Sequence, residues 1–220
     1  MRYGNGHMER DDGSPRHTDA AASPHDGVLP LVAPTAPPDD DAIRVAIDRG
    51  DHRTAIDRID DVHGDALYRF VRHLMGADDR ADDLYQTTLL AAYRDLGSFA
   101  GRSSVRTWLF GIARHRCLDA LKADRRQSAR FVSSDDVPEV ADGAAVADQV
   151  MTRSELVAAL EDCLDRLAPE VRMVLLLRFQ EGFGYDDIVR ITRASSEALR
   201  ARVSRALPVL RRCIETRGAP

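Results

Sequence analysis

Through most of this chain apolar residues recur every three or four positions, the spacing of a helix with one buried face. From residue 40 the pattern falls into runs with stop signals: "DDAIRVAIDRG" closes on Gly50, "ALYRFVRHLMG" on Gly76 and "DRADDLYQTTLLAAYRDLG" on Gly97. Glycine just past the last periodic residue is the expected C-terminal cap. A fourth run, "SSVRTWLFGIARHRCLDALKADRRQ", opens at residue 103. At 100° per residue, Val105, Trp108, Leu109, Ile112, Ala113, Cys117 and Leu121 form a broad apolar arc. Thr107, Gly111, Arg114, His115, Lys122 and Arg125 fall on the opposite, exposed strip. No stretch alternates β-branched and polar residues, so no strands are expected.

A second helical block begins at Thr152. Leu156, Leu160, Leu164 and Leu167 stack along its first helix, and Pro169 suits the first turn of "PEVRMVLLLRFQEG". "YDDIVRIT" reads as a short helix, "RAS" as a tight connection and "SEALRARVSRALPVLRRCIE" as the last helix. Its apolar stripe is narrow: Leu199, Val203, Ala206, Leu207 and Leu210. Pro208 cannot donate to Ser204, so the last helix is expected to kink or stop there. Between the blocks, residues 127–150 carry five acids against Arg130 and no sustained period, which describes a linker. Residues 1–39 are rich in Pro, Asp, His, Gly and Ala without period, which describes a disordered extension. The expected fold class is therefore all-α, with two small helical domains at 40–126 and 151–216 joined by a flexible acidic linker.

Charge sharpens that picture. The net charge of −5 is unevenly spread. Residues 97–130 hold eight Lys or Arg against two acids, and residues 190–217 hold eight Arg against two acids. Each island is thus +6, leaving −17 for the remainder. Two cationic islands in an acidic chain point to two anionic contacts, with other surfaces for other partners. The second island has helix-turn-helix spacing, whose second helix enters the major groove. A narrow apolar stripe leaves Glu197, Arg200, Arg202 and Arg205 on a wide free face, with Arg193 at the turn beside the phosphate backbone. In the first island the loop "GSFAGRSS" offers Phe99 and small flexible residues ahead of a basic helix, a setting that suits an unstacked base.

Cys117, Cys163 and Cys213 are widely spaced, odd in number and without C-x-x-C, which suits thiols in a reducing cytosol. No apolar run reaches the roughly 18 residues of a membrane span, and no secretion signal opens the chain. Asp78, Asp79, Asp82 and Asp83 cluster at helical spacing, but carboxylates opening a helix are accounted for by its dipole. No metal, cofactor or enzymatic activity is expected.

The residues between 79 and 126 resemble the second conserved region of bacterial sigma factors of the extracytoplasmic-function (ECF) type. The resemblance runs through Asp83-Leu84-x-Gln86, Phe99, Arg106-Thr107-Trp108-Leu109, Ile112-Ala113-Arg114 and Leu118-Asp119-Ala120-Leu121. The second block resembles their fourth region through Leu167-x-Pro169, Arg172, Gly182, Tyr185, Ile188 and Arg200-x-Arg202-x-x-Arg205. The resemblance implies a cytoplasmic subunit that binds core RNA polymerase and directs promoter-specific initiation. Asp83, Leu84 and Gln86 would then dock the polymerase. Phe99, Arg102, Ser103 and Ser104 would hold a flipped base of the melted minus-ten strand, with Arg114, His115 and Lys122 alongside it. Arg193, Ser196, Glu197, Arg200, Arg202 and Arg205 would read the minus-thirty-five duplex. Promoter DNA, both duplex and single-stranded, and an anti-sigma factor would be partners, without membrane insertion. Where relatives usually carry Asn, this chain has His115, and Arg193-Ala194-Ser195 replaces a usual Gly-apolar-Pro turn. The alternative is a helix-turn-helix regulator that binds duplex DNA without replacing a sigma factor.

Overall fold

A computed structural model describes residues 40–76, 80–129 and 152–217. The expected extension at 1–39 and nearly all of the expected linker lie outside these residues. Among the described residues there are helices and no strands. The first unit comprises α1 (Asp41–Asp48), α2 (His52–Met75), α3 (Ala81–Asp95) and α4 (Val105–Ala129). The second comprises α5 (Arg153–Asp165), α6 (Pro169–Leu175), α7 (Tyr185–Thr192) and α8 (Ser196–Arg217). Helix α4 continues to Ala129, so the boundary expected at residue 126 falls inside a helix.

The start and stop signals act through local hydrogen bonds. Asp51 caps α2 by accepting from the Thr54 N–H at 3.1 Å. Thr152 and Glu155 form a reciprocal capping box at the start of α5. Gly50 and Gly76 have φ of 71° and 74°, backbone that side-chain-bearing residues rarely adopt, and end α1 and α2. Gly97 behaves differently: it lies within a 3₁₀ turn, Leu96–Ser98, that follows α3 directly. Past α6 a π turn spans Leu176–Gln180, and the buried Leu176 and Leu177 point it into the core.

The two units share one buried cluster. Phe70 of α2, Phe110 of α4 and Phe183 before α7 form a line of rings with centroids 5.2 and 5.0 Å apart. Around it, the Arg172 guanidinium donates to the Leu74 carbonyl at 3.1 Å and pairs with Asp165 at 2.8 Å. His73 bonds Gln180 across the same junction. This junction corrects the helical projection of residues 105–121. Thr107, expected on the exposed strip, is buried, because α7 covers that side of α4 and Asp187 accepts from its hydroxyl at 3.2 Å. Arg114 and Gly111, on the same strip, are half-buried.

One further expectation is overturned, and one alternative of another. Cys163 on α5 and Cys213 on α8 are joined by a disulfide; only Cys117, buried in α4, is free. The pair is 50 residues apart in sequence, and the packing of α5 on α8 brings the Cα atoms to 5.9 Å, which spacing could not disclose. Pro208 also fails to end its helix, since α8 runs through it to Arg217. Ser204, which loses its N–H partner there, is exposed, so water can satisfy its carbonyl.

Candidate nucleic-acid interface

Helix α3 turns small side chains inward. Ala81, Thr88, Ala91 and Ala92 are buried, and the Thr88 hydroxyl donates to the Leu84 carbonyl at 2.6 Å. Arg80 pairs with Asp124 of α4, and the Tyr85 hydroxyl donates to Asp60 of α2, fixing the helix at both sides. Its outer face is left open. Asp83 and Gln86 are exposed and Leu84 is half-buried. Leu90 and Tyr93 continue the same strip at 56% and 45% exposure. The sequence reading missed this pair, although exposed apolar residues seven and ten places after Asp83 lie on its face and are detectable by helical projection.

The loop into α4 is pinned at one end and open at the other. Asp40 accepts from the Val105 N–H at 2.8 Å while its other oxygen meets His63 Nε2 at 2.9 Å. Burial alone would raise the Asp40 pKa; the His63 hydrogen bond and charge, with the Val105 and Arg106 N–H groups, outweigh it and hold the carboxyl below its usual value. Ser104 accepts from the Thr107 N–H at 3.0 Å and so caps α4, and Arg44 donates to the Ser103 carbonyl at 3.2 Å. By contrast Gly101, at φ 65°, and Arg102 are exposed. Phe99 and Trp108 are half-buried, with ring centroids 5.2 Å apart. The loop therefore has a rigid base and an aromatic pair beside a free tip.

Further along α4, His115 and Lys122 are exposed and share Asp119, at 3.3 and 4.0 Å. Arg114 sits at the junction between units. Its guanidinium pKa is lowered by burial first and by the nearby Arg193 second, with Glu170 and Asp119 acting the other way. Its Nε is buried without a hydrogen-bond partner. A residue expected at the minus-ten strand and one expected at the minus-thirty-five backbone are thus brought close as like charges.

The second unit builds the expected helix-turn-helix. Asp186 and Asp187 open α7, where negative charge suits the dipole. The turn is made by Arg193 at φ 60°, ψ 18°, whose N–H donates to the Val189 carbonyl at 2.7 Å. Ser195 accepts from the Ala198 N–H at 3.2 Å and caps α8. Leu199, Val203 and Ala206 are buried, so the free face carries Arg193, Glu197, Arg200 and Arg205 exposed, with Ser196 and Arg202 half-buried. The Arg200 guanidinium lies 4.3 Å from the Tyr185 ring centroid, a cation–π contact that orients it from α7. That contact was absent from the sequence reading because the two residues belong to different helices.

One buried ion pair locks the units together. Arg106 Nη2 donates to the Glu181 carbonyl at 2.8 Å and to its carboxylate at 3.0 Å. Its guanidinium packs against the rings of Phe110 and Phe183, 5.3 and 4.2 Å from their centroids. Burial lowers the Arg106 pKa, and Glu181, with Asp187 and Asp40 beyond it, opposes that fall.

Comparison with known proteins agrees with this division. Residues 61–127 match Sigma-70 region 2 and residues 158–207 match Sigma-70, region 4. The ECF RNA polymerase sigma factor EcfG of Rhodopseudomonas palustris (strain TIE-1) is 33% identical over 159 residues, covering 70% of this chain and 82% of that protein. The ECF RNA polymerase sigma factor SigX of Bacillus subtilis (strain 168) is 28% identical over 157 residues, covering 70% and 81%. Among solved structures, the sigma factor RpoE from Bartonella quintana, in complex with the anti-sigma factor NepR, superimposes with a TM-score of 0.51 at 28% identity. It covers 68% of this chain and 89% of that one. The chain belongs to the ECF sigma factors of RNA polymerase, initiation factors for promoter-specific transcription.

Proposed function

We propose that this protein binds core RNA polymerase in the bacterial cytoplasm through α3 and engages a promoter at two separate places. Asp83, Leu84 and Gln86, extended by Leu90 and Tyr93, form the polymerase-facing strip. Phe99, Arg102, Ser103 and Ser104 receive an unstacked base of the minus-ten element, with Arg114, His115 and Lys122 along that strand. Arg200, Arg202 and Arg205 enter the minus-thirty-five duplex, with Arg193, Ser196 and Glu197 at its edge. The observation that carries this reading is the α7–turn–α8 geometry, with an arginine face left free by a three-residue buried stripe. Flipping a base costs a few kcal/mol, offset in this scheme by phosphate contacts and base capture.

Simultaneous engagement requires the units to part. Elements centred about 25 base pairs apart are separated by roughly 85 Å at 3.4 Å per pair. The 23 residues 130–152 between α4 and α5 reach about 75–80 Å when extended, close to that centre-to-centre separation, once the contacts of the junction, Arg106–Glu181 among them, are released. The functional domains are 40–126 and 151–216. By analogy with the Bartonella RpoE complex, an anti-sigma protein is a further partner.

The test is transcription with purified bacterial core polymerase and mapping of RNA start sites. Initiation at defined positions is expected only when this protein is added. Asp83→Ala should weaken polymerase binding and leave start-site choice unchanged, whereas Arg200→Ala and Arg205→Ala should reduce use of promoters with an upstream element. A protein that binds duplex DNA but never directs initiation from core polymerase would instead be a helix-turn-helix regulator.

A further inference from the structure

The disulfide joins the two most weakly embedded helices of the second unit. In α8 every fully buried side chain precedes Pro208: Leu199, Val203 and Ala206. Beyond it Val209, Arg211 and Arg212 are exposed, and Leu210 and Ile214 are half-buried. Across that half, the links to α5 include the Cys163–Cys213 bond and an ion pair between Arg217 and Asp162. Helix α5 itself buries only Ala159, Cys163 and Leu164, while Leu156 and Val157 are both 45% exposed. A helix of 13 residues is marginal without tertiary contacts.

We propose that Cys163 and Cys213 form a thiol–disulfide switch that sets how firmly α5 and the second half of α8 are held, and hence how well α8 presents its arginines to duplex DNA. The first part stands on the disulfide and its place in the fold; the second rests on the proposed duplex reading. In a cytosolic protein a disulfide is ordinarily transient and redox-sensing, and a permanent staple would be out of place. Access is asymmetric: Cys163 is 1% exposed and Cys213 is half-buried. Cys117 takes no part, because burial pushes its thiol up to about 12 and leaves it almost entirely protonated.

The chemistry balances with ordinary cytosolic partners. A thiolate of a dithiol reductant attacks the Cys213 sulfur; the sulfur–sulfur bond breaks and Cys163 leaves as a thiolate that takes up a proton. The reductant's second thiolate then displaces Cys213 from the mixed disulfide, and a second proton restores its thiol, two electrons passing in all. In the other direction a hydroperoxide oxidises one thiolate to a sulfenic acid, releasing water or an alcohol. The second thiol displaces the sulfenic hydroxyl as water and the disulfide re-forms. Reduction removes the cross-link that closes 50 residues of chain and frees α5 to fray from α8.

The experiment uses the full chain, equilibrated in glutathione buffers of graded reduced-to-oxidised ratio, alkylated and mapped by mass spectrometry. The Tm of each form and its affinity for a fluorescein-labelled random-sequence duplex at low salt are measured in parallel. The pair should convert within the cytosolic range of ratios while Cys117 resists labelling until the protein unfolds. The disulfide form should melt higher by about 5 °C or more and bind the duplex several-fold more tightly. Cys213→Ser should behave like the reduced form in every buffer. A pair that stays linked, or stays open, at all ratios overturns the switch, as do two forms with equal Tm. Equal affinity in two forms that both bind DNA overturns the link to α8 presentation. If the forms differ in Tm and neither binds duplex, the duplex reading fails and the redox control of α5 and α8 stands.

Discussion

Arg193 makes the turn of the helix-turn-helix with φ 60°, and replacing it by glycine should move stability and DNA affinity in opposite directions. A side chain in the left-handed region costs roughly 1–2 kcal/mol. Glycine removes that cost but returns about 0.5–1 kcal/mol through its freer unfolded chain. The net gain is therefore about 0.5–1 kcal/mol, with relief of the Arg114–Arg193 repulsion adding in the same direction. For a protein of this size that raises Tm by about 1–4 °C. Arg193→Ala keeps the strained backbone while losing the same charge, so the glycine and alanine variants differ only in the turn. Both should lose one phosphate contact, lowering the slope of log affinity against log salt by about 0.9. Thermal unfolding followed by circular dichroism, and fluorescence anisotropy on a duplex across a potassium chloride series, measure the two effects. If the glycine variant melts no higher than the alanine variant, the strain argument is wrong. An unchanged salt slope in both would remove Arg193 from the phosphate backbone.

Two more consequences concern the contacts that hold the site. The Asp40 pKa is held below its unfolded value of about 4, so its stabilisation is complete above that pH and is lost as pH falls through the folded value; Asp40→Asn should flatten this acid limb in pH-dependent unfolding, and Asp40→Ala should cost about 2 kcal/mol at pH 7. Glu181→Ala leaves Arg106 against Phe110 and Phe183 without its carboxylate; weakening the junction by about 3 kcal/mol, it should enlarge the radius of gyration in small-angle scattering, and an unchanged radius would show that the apolar cluster and the remaining hydrogen bonds suffice to join the units.

Periodicity, capping and charge determined much of this protein without any tertiary information. The stops at Gly50 and Gly76, the start at Pro169 and the buried stripe of Leu199, Val203 and Ala206 all follow from residues within a few positions of one another. So do the arginine face of α8 and the resemblance that located the two units, because a helix of 3.6 residues per turn converts local spacing into faces. What tertiary structure decided involves partners far apart in sequence. Asp40 meets His63 and Val105, Arg106 meets Glu181, Arg200 stacks on Tyr185 and Cys163 bonds Cys213. The same cause explains the errors: Thr107 is buried because α7 lies over a face of α4 that the projection left to solvent. Pro208 is accommodated in an exposed stretch of α8, where water can meet the carbonyl it leaves unpaired. A helical projection shows which way a side chain points but carries no information about which surface arrives opposite it; that is set when the whole chain minimises its exposed apolar area.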